Sequence, residues 1–103
     1  MLHPTIQAKL PLLMAIFKAH KIKSAYAFGS ITNDKFNDKS DIDFLINFED
    51  NLEALEIGEM WWKLHDNLRD ILNREVDLLI EKSLKNPYFI EEINEKKQLI
   101  YAA

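Results

Sequence analysis

The stretch FGSITNDKFNDKSDIDFL, residues 28–45, decides the fold of this chain. Its Gly29 ends the apolar run of residues 22–28, which favours a short buried strand. Glycine tolerates a positive φ and lets another group approach its backbone closely. Ser30 follows with a hydroxyl and a backbone N–H, and a turn that exposes N–H groups is a natural anion site. The first half of the stretch therefore predicts a strand that ends in a phosphate-binding turn.

The second half of the stretch predicts another strand at residues 41–48, with two aspartates at its start. Side chains alternate along a strand, so Asp41 and Asp43 share one face with Cα atoms roughly 7 Å apart. Aspartate is a poor strand former, and a bound divalent cation would explain two of them here. Asp77, in the short strand expected at residues 75–80, reaches the same face if that strand pairs beside residues 41–48.

The expected cluster of three carboxylates, from Asp41, Asp43 and Asp77, is unfavourable without a bound cation. At an effective dielectric near 20, each pair about 7 Å apart repels by roughly 2 kcal/mol. Mg²⁺ suits such a site because it prefers oxygen ligands and keeps waters and substrate phosphates in its shell. This predicts in-line displacement at a nucleotide α-phosphate. The alternatives are solvated turn carboxylates at Asp41 and Asp43, a strand-edge charge at Asp77, and a helix N-cap at Ser30.

Taken together, these residues resemble the minimal nucleotidyltransferase family, small relatives of the DNA polymerase beta superfamily. The segments that carry the resemblance are residues 28–30, 40–45 and 76–78, with weaker support from 99–101. The resemblance implies an α/β (α+β) fold in which helices cover a small mixed β-sheet, a minimal polymerase-beta-like palm. It also implies transfer of an NMP, in particular AMP from ATP, to a hydroxyl of a protein or small-molecule acceptor.

The resemblance assigns roles to individual residues. Gly29 and Ser30 would contact the phosphates, Asp41 and Asp43 would be metal ligands, and Asp77 would be a ligand or the general base. Two Mg²⁺ ions and ATP or another nucleoside triphosphate are the implied cofactor and donor. Many family members are encoded beside a helical partner of the HEPN type, and some act as antitoxins that adenylylate it.

The loop after the glycine-serine pair departs from the family pattern, which often has arginine there. Lys35 and Lys39 stand in this loop instead, and both are candidate phosphate contacts. Lysine is a mobile point charge rather than a planar fork, and Asp34 and Asp38 offset part of its charge. Donor binding by this loop is therefore an open prediction.

Composition limits the remaining function classes. A chain of 103 residues is expected to form a single domain, residues 1–103. Its formal net charge of −4 argues against autonomous nucleic-acid binding, which depends on Lys and Arg. The absence of cysteine excludes a disulfide framework and a thiolate zinc site. No apolar run approaches membrane length, so we expect a cytoplasmic protein without membrane contact.

Helices are expected at residues 5–20 and 51–73, and a last helix or turn is expected at residues 88–97. Pro11 should start or kink the first helix, since proline lacks an N–H and crowds the preceding turn. Asp50 and Glu53 resemble a capping box for the second. Within that helix Trp61 lies on the apolar stripe. Trp62 lies about 100° away, so it either folds over the sheet edge or contacts a partner.

Three functions stay open at this point. The first is a Mg²⁺-dependent nucleotidyltransferase. The second is a non-enzymatic antitoxin or binding subunit that neutralises a helical HEPN-type partner by covering it. The third is a structural subunit of a larger complex. A homo-oligomer is the alternative to a separate partner, because a domain this small gains stability from burying additional surface.

Overall fold

Four strands form one mixed sheet in the order β3-β2-β1-β4. The structure is a computed structural model that describes residues 3–29, 36–37 and 39–103; Ser30, Asp34, Lys35 and Asp38 lie outside these ranges. The strands are β1 (Ile22–Phe28), β2 (Ile42–Phe48), β3 (Val76–Ile80) and β4 (Gln98–Ala102). The helices of the described part are α1 (Pro4–Gln7), α2 (Leu10–Ala19), α3 (Ala54–Leu72) and α4 (Pro87–Lys96), with a short 3-10 helix at Glu81–Ser83.

Strand direction follows from the connections. β1 is antiparallel to both β2 and β4, whereas β2 and β3 are parallel. Parallel strands need a long crossover between them, usually a helix, and α3 supplies it. The expected small mixed sheet covered by helices is therefore confirmed.

One face of the sheet forms the main core under α2 and α3. Its buried residues alternate along β2, with Ile42, Phe44 and Ile46 fully buried, as a strand with one covered face requires. Leu13, Phe17, Leu64 and Leu68 are the fully buried side chains that the two helices contribute. The opposite face carries Asp43, Leu45 and Asn47, so the acidic residue lies on the side away from this core.

The exposed edge of β3 is closed by two side chains of α3. Because Glu75 O accepts a hydrogen bond from Ile42 N, the carbonyls of alternate residues point away from β2. Trp61 Nε1 donates to Leu78 O at 3.1 Å, and His65 Nε2 donates to Val76 O at 2.9 Å. The two rings stack 5.0 Å apart. These bonds satisfy an edge that would otherwise be open to another strand.

The predicted first helix is two helices. α1 ends at Gln7 and α2 begins at Leu10, and between them Lys9 leaves the helical conformation with φ −106° and ψ 3°. Pro11 lies in the first turn of α2, where its missing N–H costs nothing. It therefore starts a helix rather than kinking one. In the part of the chain that is described, no helix is both long and apolar enough to cross a membrane.

The predicted capping box is wrong. α3 begins at Ala54 rather than near residue 51, and its N-cap residue Glu53 makes no side-chain capping bond. Asp50 instead forms ion pairs with Lys23 and Lys82 at 3.4 and 3.7 Å. The other elements match the expected positions closely, except that β4 was not predicted as a strand.

Candidate active site

Gly29 is the point where β1 meets the acidic residues of β2. Its φ is +74°, a conformation that favours glycine. A Cβ added at Gly29 would overlap Oδ2 of Asp43 and lie 3.3 Å from its Cγ. The close approach predicted from the sequence is therefore real, and the group that approaches is the carboxylate of Asp43. Contact between Gly29 and a phosphate stays a prediction.

Asp43 and Asp77 face each other across the parallel pair of β2 and β3. The register aligns Ile42 with Val76 in the first rung and Asp43 with Asp77 in the second. Asp43 is half-buried and Asp77 is exposed. The structure thus confirms the condition on which the sequence prediction depended, that residues 76–80 pair directly beside the Asp-x-Asp strand.

The pKa of Asp43 is raised from its ordinary 3.8 to about 7. Burial is the largest cause, followed by the hydrogen bond with Asp77 and then by the charges of Asp77 and Asp41. Asp43 therefore keeps its proton up to near neutral pH, because burial and the facing carboxylate both disfavour its ionised form. A divalent cation would release that proton.

The third predicted ligand, Asp41, is near enough to raise the pKa of Asp43 but does not complete a metal-binding cluster with the pair. It is exposed and precedes β2 by one residue. Within residues 3–29, 36–37 and 39–103, no three His, Cys, Asp or Glu side chains are arranged to hold a metal ion. The donor set of Asp43 and Asp77 nevertheless fits a hard cation, since both are carboxylates and they repel when ionised. The roles of all three aspartates as metal ligands stay predictions.

The loop before β2 places one of the two candidate lysines. Lys39 is exposed, and its backbone N–H donates to Oδ1 of Asn37 at 2.8 Å. Its contact with a phosphate is still a prediction, as is that of Lys35.

Arg74 is not among the site residues predicted from the sequence. Its Nη1 donates to the carbonyl oxygens of Asn37 and Ser40 at 3.0 and 2.9 Å. The sequence signal that could have identified Arg74 is its position three residues before Asp77, just ahead of the third strand.

A second polar cluster on the same sheet face is internally compensated. Asn47 Nδ2 donates to Ser24 Oγ at 3.1 Å and to Glu81 at 2.7 Å, and Lys97 Nζ donates to Glu81 at 3.0 Å. Burial raises the pKa of Glu81, but the hydrogen bonds from Asn47 and Lys97 outweigh it and leave the pKa below its usual value. Because its acid already has partners, this cluster is a weaker candidate for a cation than Asp43 and Asp77.

An open depression of about 620 Å³ at the end of α3 is also outside the site. Its lining residues are Asp66, Arg69, Asp70, Asn73, Arg74 and Glu75. None of the acidic residues at the Gly29 turn belongs to it. We therefore place the candidate site at the turn and not in this depression.

Replacing Gly29 by alanine is expected to destabilise the protein. The left-handed backbone costs an alanine about 1–2 kcal/mol, and the new methyl group overlaps Asp43. Thermal denaturation should show a lower Tm for Gly29→Ala. Gly58→Ala is the matched control, because Gly58 is helical with nothing within 4 Å of an added Cβ. That variant should be as stable as the wild type or more stable; equal Tm values for both variants would contradict the contact.

The raised pKa of Asp43 predicts a specific pH dependence of metal-free stability. The folded state binds a proton that the unfolded chain has released, so stability falls as pH rises between about 4 and about 7. Asp43→Asn should remove this loss, on the order of 2 kcal/mol after allowance for solvent screening. The variant should melt above the wild type at pH 8 and close to it near pH 4. Parallel wild-type and variant curves across this range would refute the raised pKa of Asp43.

Comparison with known proteins agrees with this geometry. The family model described as "Polymerase beta, Nucleotidyltransferase" matches residues 13–103. A protein of Methanocaldococcus jannaschii, provisionally named a protein adenylyltransferase, is 40% identical over 82 residues. The match covers 80% of this chain and 78% of that relative.

Several solved structures share the fold. A provisionally assigned minimal nucleotidyltransferase has a TM-score of 0.73 at 23% identity and covers 91% of each chain. A toxin-antitoxin structure with AMP-PNP has a TM-score of 0.71 at 20% identity, covering 91% of this chain and 73% of that one. The complex of a tri-AMPylated Shewanella oneidensis HEPN toxin with MNT antitoxin has a TM-score of 0.66 at 19% identity, and the match covers 94% of this chain and 72% of that one. The family match spans most of the sequence, and the acidic pair lies at the end of the expected sheet. The chain therefore belongs to the polymerase beta nucleotidyltransferase family.

Proposed function

We propose that this protein transfers AMP from ATP to a hydroxyl group of a helical partner protein of the HEPN type, as an antitoxin. The single observation that carries the proposal is the register that sets Asp43 against Asp77 beside Gly29. The names of the relatives support AMP as the transferred group, and the toxin-antitoxin structures support the class of partner.

Charge decides what the acidic pair can hold. Burial and the charges of Asp77 and Asp41 disfavour the ionised form of Asp43, so this site repels added negative charge, and an unaccompanied triphosphate would bring more of it. Two divalent cations, Mg²⁺ in our proposal, would balance the carboxylates and the phosphates and stabilise the charge of the displacement. Asp41, which is near enough to raise the pKa of Asp43, would add a third carboxylate to the same site.

The remaining catalytic task is proton transfer from the acceptor hydroxyl. Its oxygen forms a bond to the α-phosphorus, the bond to pyrophosphate breaks, and the hydroxyl proton passes to a carboxylate. Asp77 suits this step because it is exposed, whereas Asp43 is half-buried. An acceptor on another protein reaches an exposed side chain without rearrangement of the sheet.

The proposed phosphate contacts lie around the turn. Gly29 would offer its backbone at close range, and Ser30 its N–H and hydroxyl. Lys39 is exposed at the far end of the same loop and would supply positive charge with Lys35. Ser30 and Lys35 enter the proposal from the sequence alone.

A partner contact is supported by Trp62 on α3. This side chain is 64% exposed. It stands edge-on to Trp61 with ring centroids 4.9 Å apart. The structure thus places Trp62 outside the core, so the reading in which it covers apolar surface of its own domain loses support. Aromatic residues held on a surface in this way are typical of protein interfaces.

A non-enzymatic antitoxin is the second candidate. In the described residues the three aspartates do not form a complete metal cluster, and the family's loop arginine is missing from residues 31–39. Such a protein would neutralise its partner by covering it. The two candidates differ in one result, the presence of AMP on the partner.

Asp77→Asn should separate chemistry from binding. The partner is first isolated with the wild-type chain from native cells and then incubated with Mg²⁺, ATP and each variant. Intact-mass analysis should show AMP transfer by the wild type and a rate lower by at least roughly 100-fold for Asp77→Asn. Asp70→Asn, which removes an exposed carboxylate of α3, is the matched control and should act as the wild type. Transfer at the wild-type rate by Asp77→Asn would eliminate its role, and a bound partner that never gains AMP would favour the second candidate.

The adjacent tryptophans should respond in opposite ways. Trp62→Ala should weaken partner binding by roughly 30-fold, since loss of a central aromatic commonly costs about 2 kcal/mol, and should change Tm little. Trp61→Ala should lower Tm, because Trp61 packs against the core and bonds to Leu78 O. Co-purification and thermal denaturation measure the two effects. A large loss of Tm in Trp62→Ala with partner binding intact would refute the assignment.

A further inference from the structure

We infer that Arg74 is a positioning residue for the acidic pair: it joins the segment entering β2 to the segment entering β3 and so keeps Asp43 opposite Asp77. The consequence for nucleotide binding rests on the proposed function. The structural part of the inference does not, because it concerns contacts within the protein.

Arg74 links two strand entrances through one nitrogen. Its Nη1 donates to Asn37 O at 3.0 Å and to Ser40 O at 2.9 Å. Ser40 lies immediately before Asp41, and Arg74 itself lies two residues before the first residue of β3. The Arg74 guanidinium therefore connects the two segments just before the strands that carry Asp43 and Asp77.

Hydrogen bonds among Asn37, Lys39 and Ser40 restrict the backbone groups that Arg74 binds. Ser40 N donates to Asn37 O at 3.0 Å, and Asn37 N donates back to Ser40 Oγ at 3.0 Å. Lys39 N donates to the side-chain oxygen of Asn37 at 2.8 Å. Arg74 thus binds carbonyls whose positions are already restricted, which lowers the entropy cost of the contact.

A buried ring fixes the guanidinium from a second direction. The guanidinium carbon of Arg74 lies 4.5 Å from the centroid of the Phe36 ring. Phe36 is 9% exposed and packs against the His3 ring at 4.6 Å. A planar guanidinium can stack and donate at once, whereas a lysine ammonium offers only a mobile point charge.

The position matters because strand ends open easily and this end carries like charges. Asp43 and Asp77 occupy the second rung of the β2–β3 pair. A backbone hydrogen bond joins the segments that enter β2 and β3 just before the first rung. Ile42 N donates it to Glu75 O at 3.1 Å. When both carboxylates are ionised, their repulsion works against that link. Arg74 reinforces it from outside the ladder.

The test compares Arg74→Gln with Arg69→Gln and Arg74→Lys. Arg69 is an exposed arginine of α3 paired with Glu75 at 2.8 Å, so its variant matches the loss of positive charge without removing a bond to the Asn37 and Ser40 carbonyls. Amide hydrogen exchange should quicken by roughly tenfold at Lys39, Ser40 and Ile42 in Arg74→Gln, as expected for loss of hydrogen bonds to a charged group. Arg69→Gln should leave these amides as they are in the wild type.

Affinity for Mg²⁺·ATP, measured by calorimetry at a temperature where every variant is folded, supplies the second readout. Arg74→Gln should bind about 10- to 100-fold more weakly, the range for loss of residues that orient metal ligands. Arg74→Lys should recover little, because charge without the planar fork does not fix both carbonyls. Core amides such as Phe17 and Leu64 should exchange at wild-type rates, which separates local positioning from general destabilisation.

Each result decides a different claim. Unchanged exchange at residues 39–42 in Arg74→Gln would overturn the inference, whatever the nucleotide does. Faster exchange with wild-type Mg²⁺·ATP affinity would show that the turn is held but does not position the acidic pair, which also overturns it. A wild-type protein that binds no Mg²⁺·ATP would refute the proposed function, while the exchange data would still decide whether Arg74 holds the turn.

Discussion

The close placement of two carboxylates, Asp43 and Asp77, is the constraint on which the rest of this structure depends. Like charges at this distance repel, and burial of Asp43 adds a desolvation penalty. The sheet nevertheless holds them in one rung, because β2 is the most buried strand and β3 lies in register beside it. The loss of stability at this rung is explained if a divalent cation, bound together with a triphosphate, neutralises the two carboxylates.

Surrounding features serve this placement. Gly29 leaves room that any side chain would fill, so the carboxylate of Asp43 can lie over the end of β1. Trp61 and His65 close the outer edge of β3, which keeps that strand from pairing with another chain. Arg74 secures the approach to both strands. α2 and α3 pack on the opposite face of the sheet, where they form the core that stabilises these strands without contributing residues to the acidic pair.

Local patterns in the sequence were enough for most of the fold and for half of the site. β1, β2 and β3 follow from short apolar runs, and the Gly-Ser and Asp-x-Asp spacing located the turn and the acidic residues. Contacts between distant segments have no such local signal, and Arg74 reaches Asn37 across 37 residues. The predicted capping box is wrong for a similar reason. Asp50 pairs with Lys23 and Lys82, which are distant in sequence, and a local motif contains no information about such ion pairs.

Calorimetric titration of preformed Mg²⁺·ATP into wild type, Asp43→Asn and Asp66→Asn tests the central claim most directly. At pH 8, where Asp43 is largely ionised even without a cation, Asp43→Asn removes negative charge from the site, so it would bind the triphosphate at least as well as the wild type if no cation were needed there. We expect the opposite: binding by the wild type and by Asp66→Asn, an exposed control on α3, and loss of binding in folded Asp43→Asn. Equal or tighter binding by Asp43→Asn would contradict a metal-nucleotide site at the acidic pair.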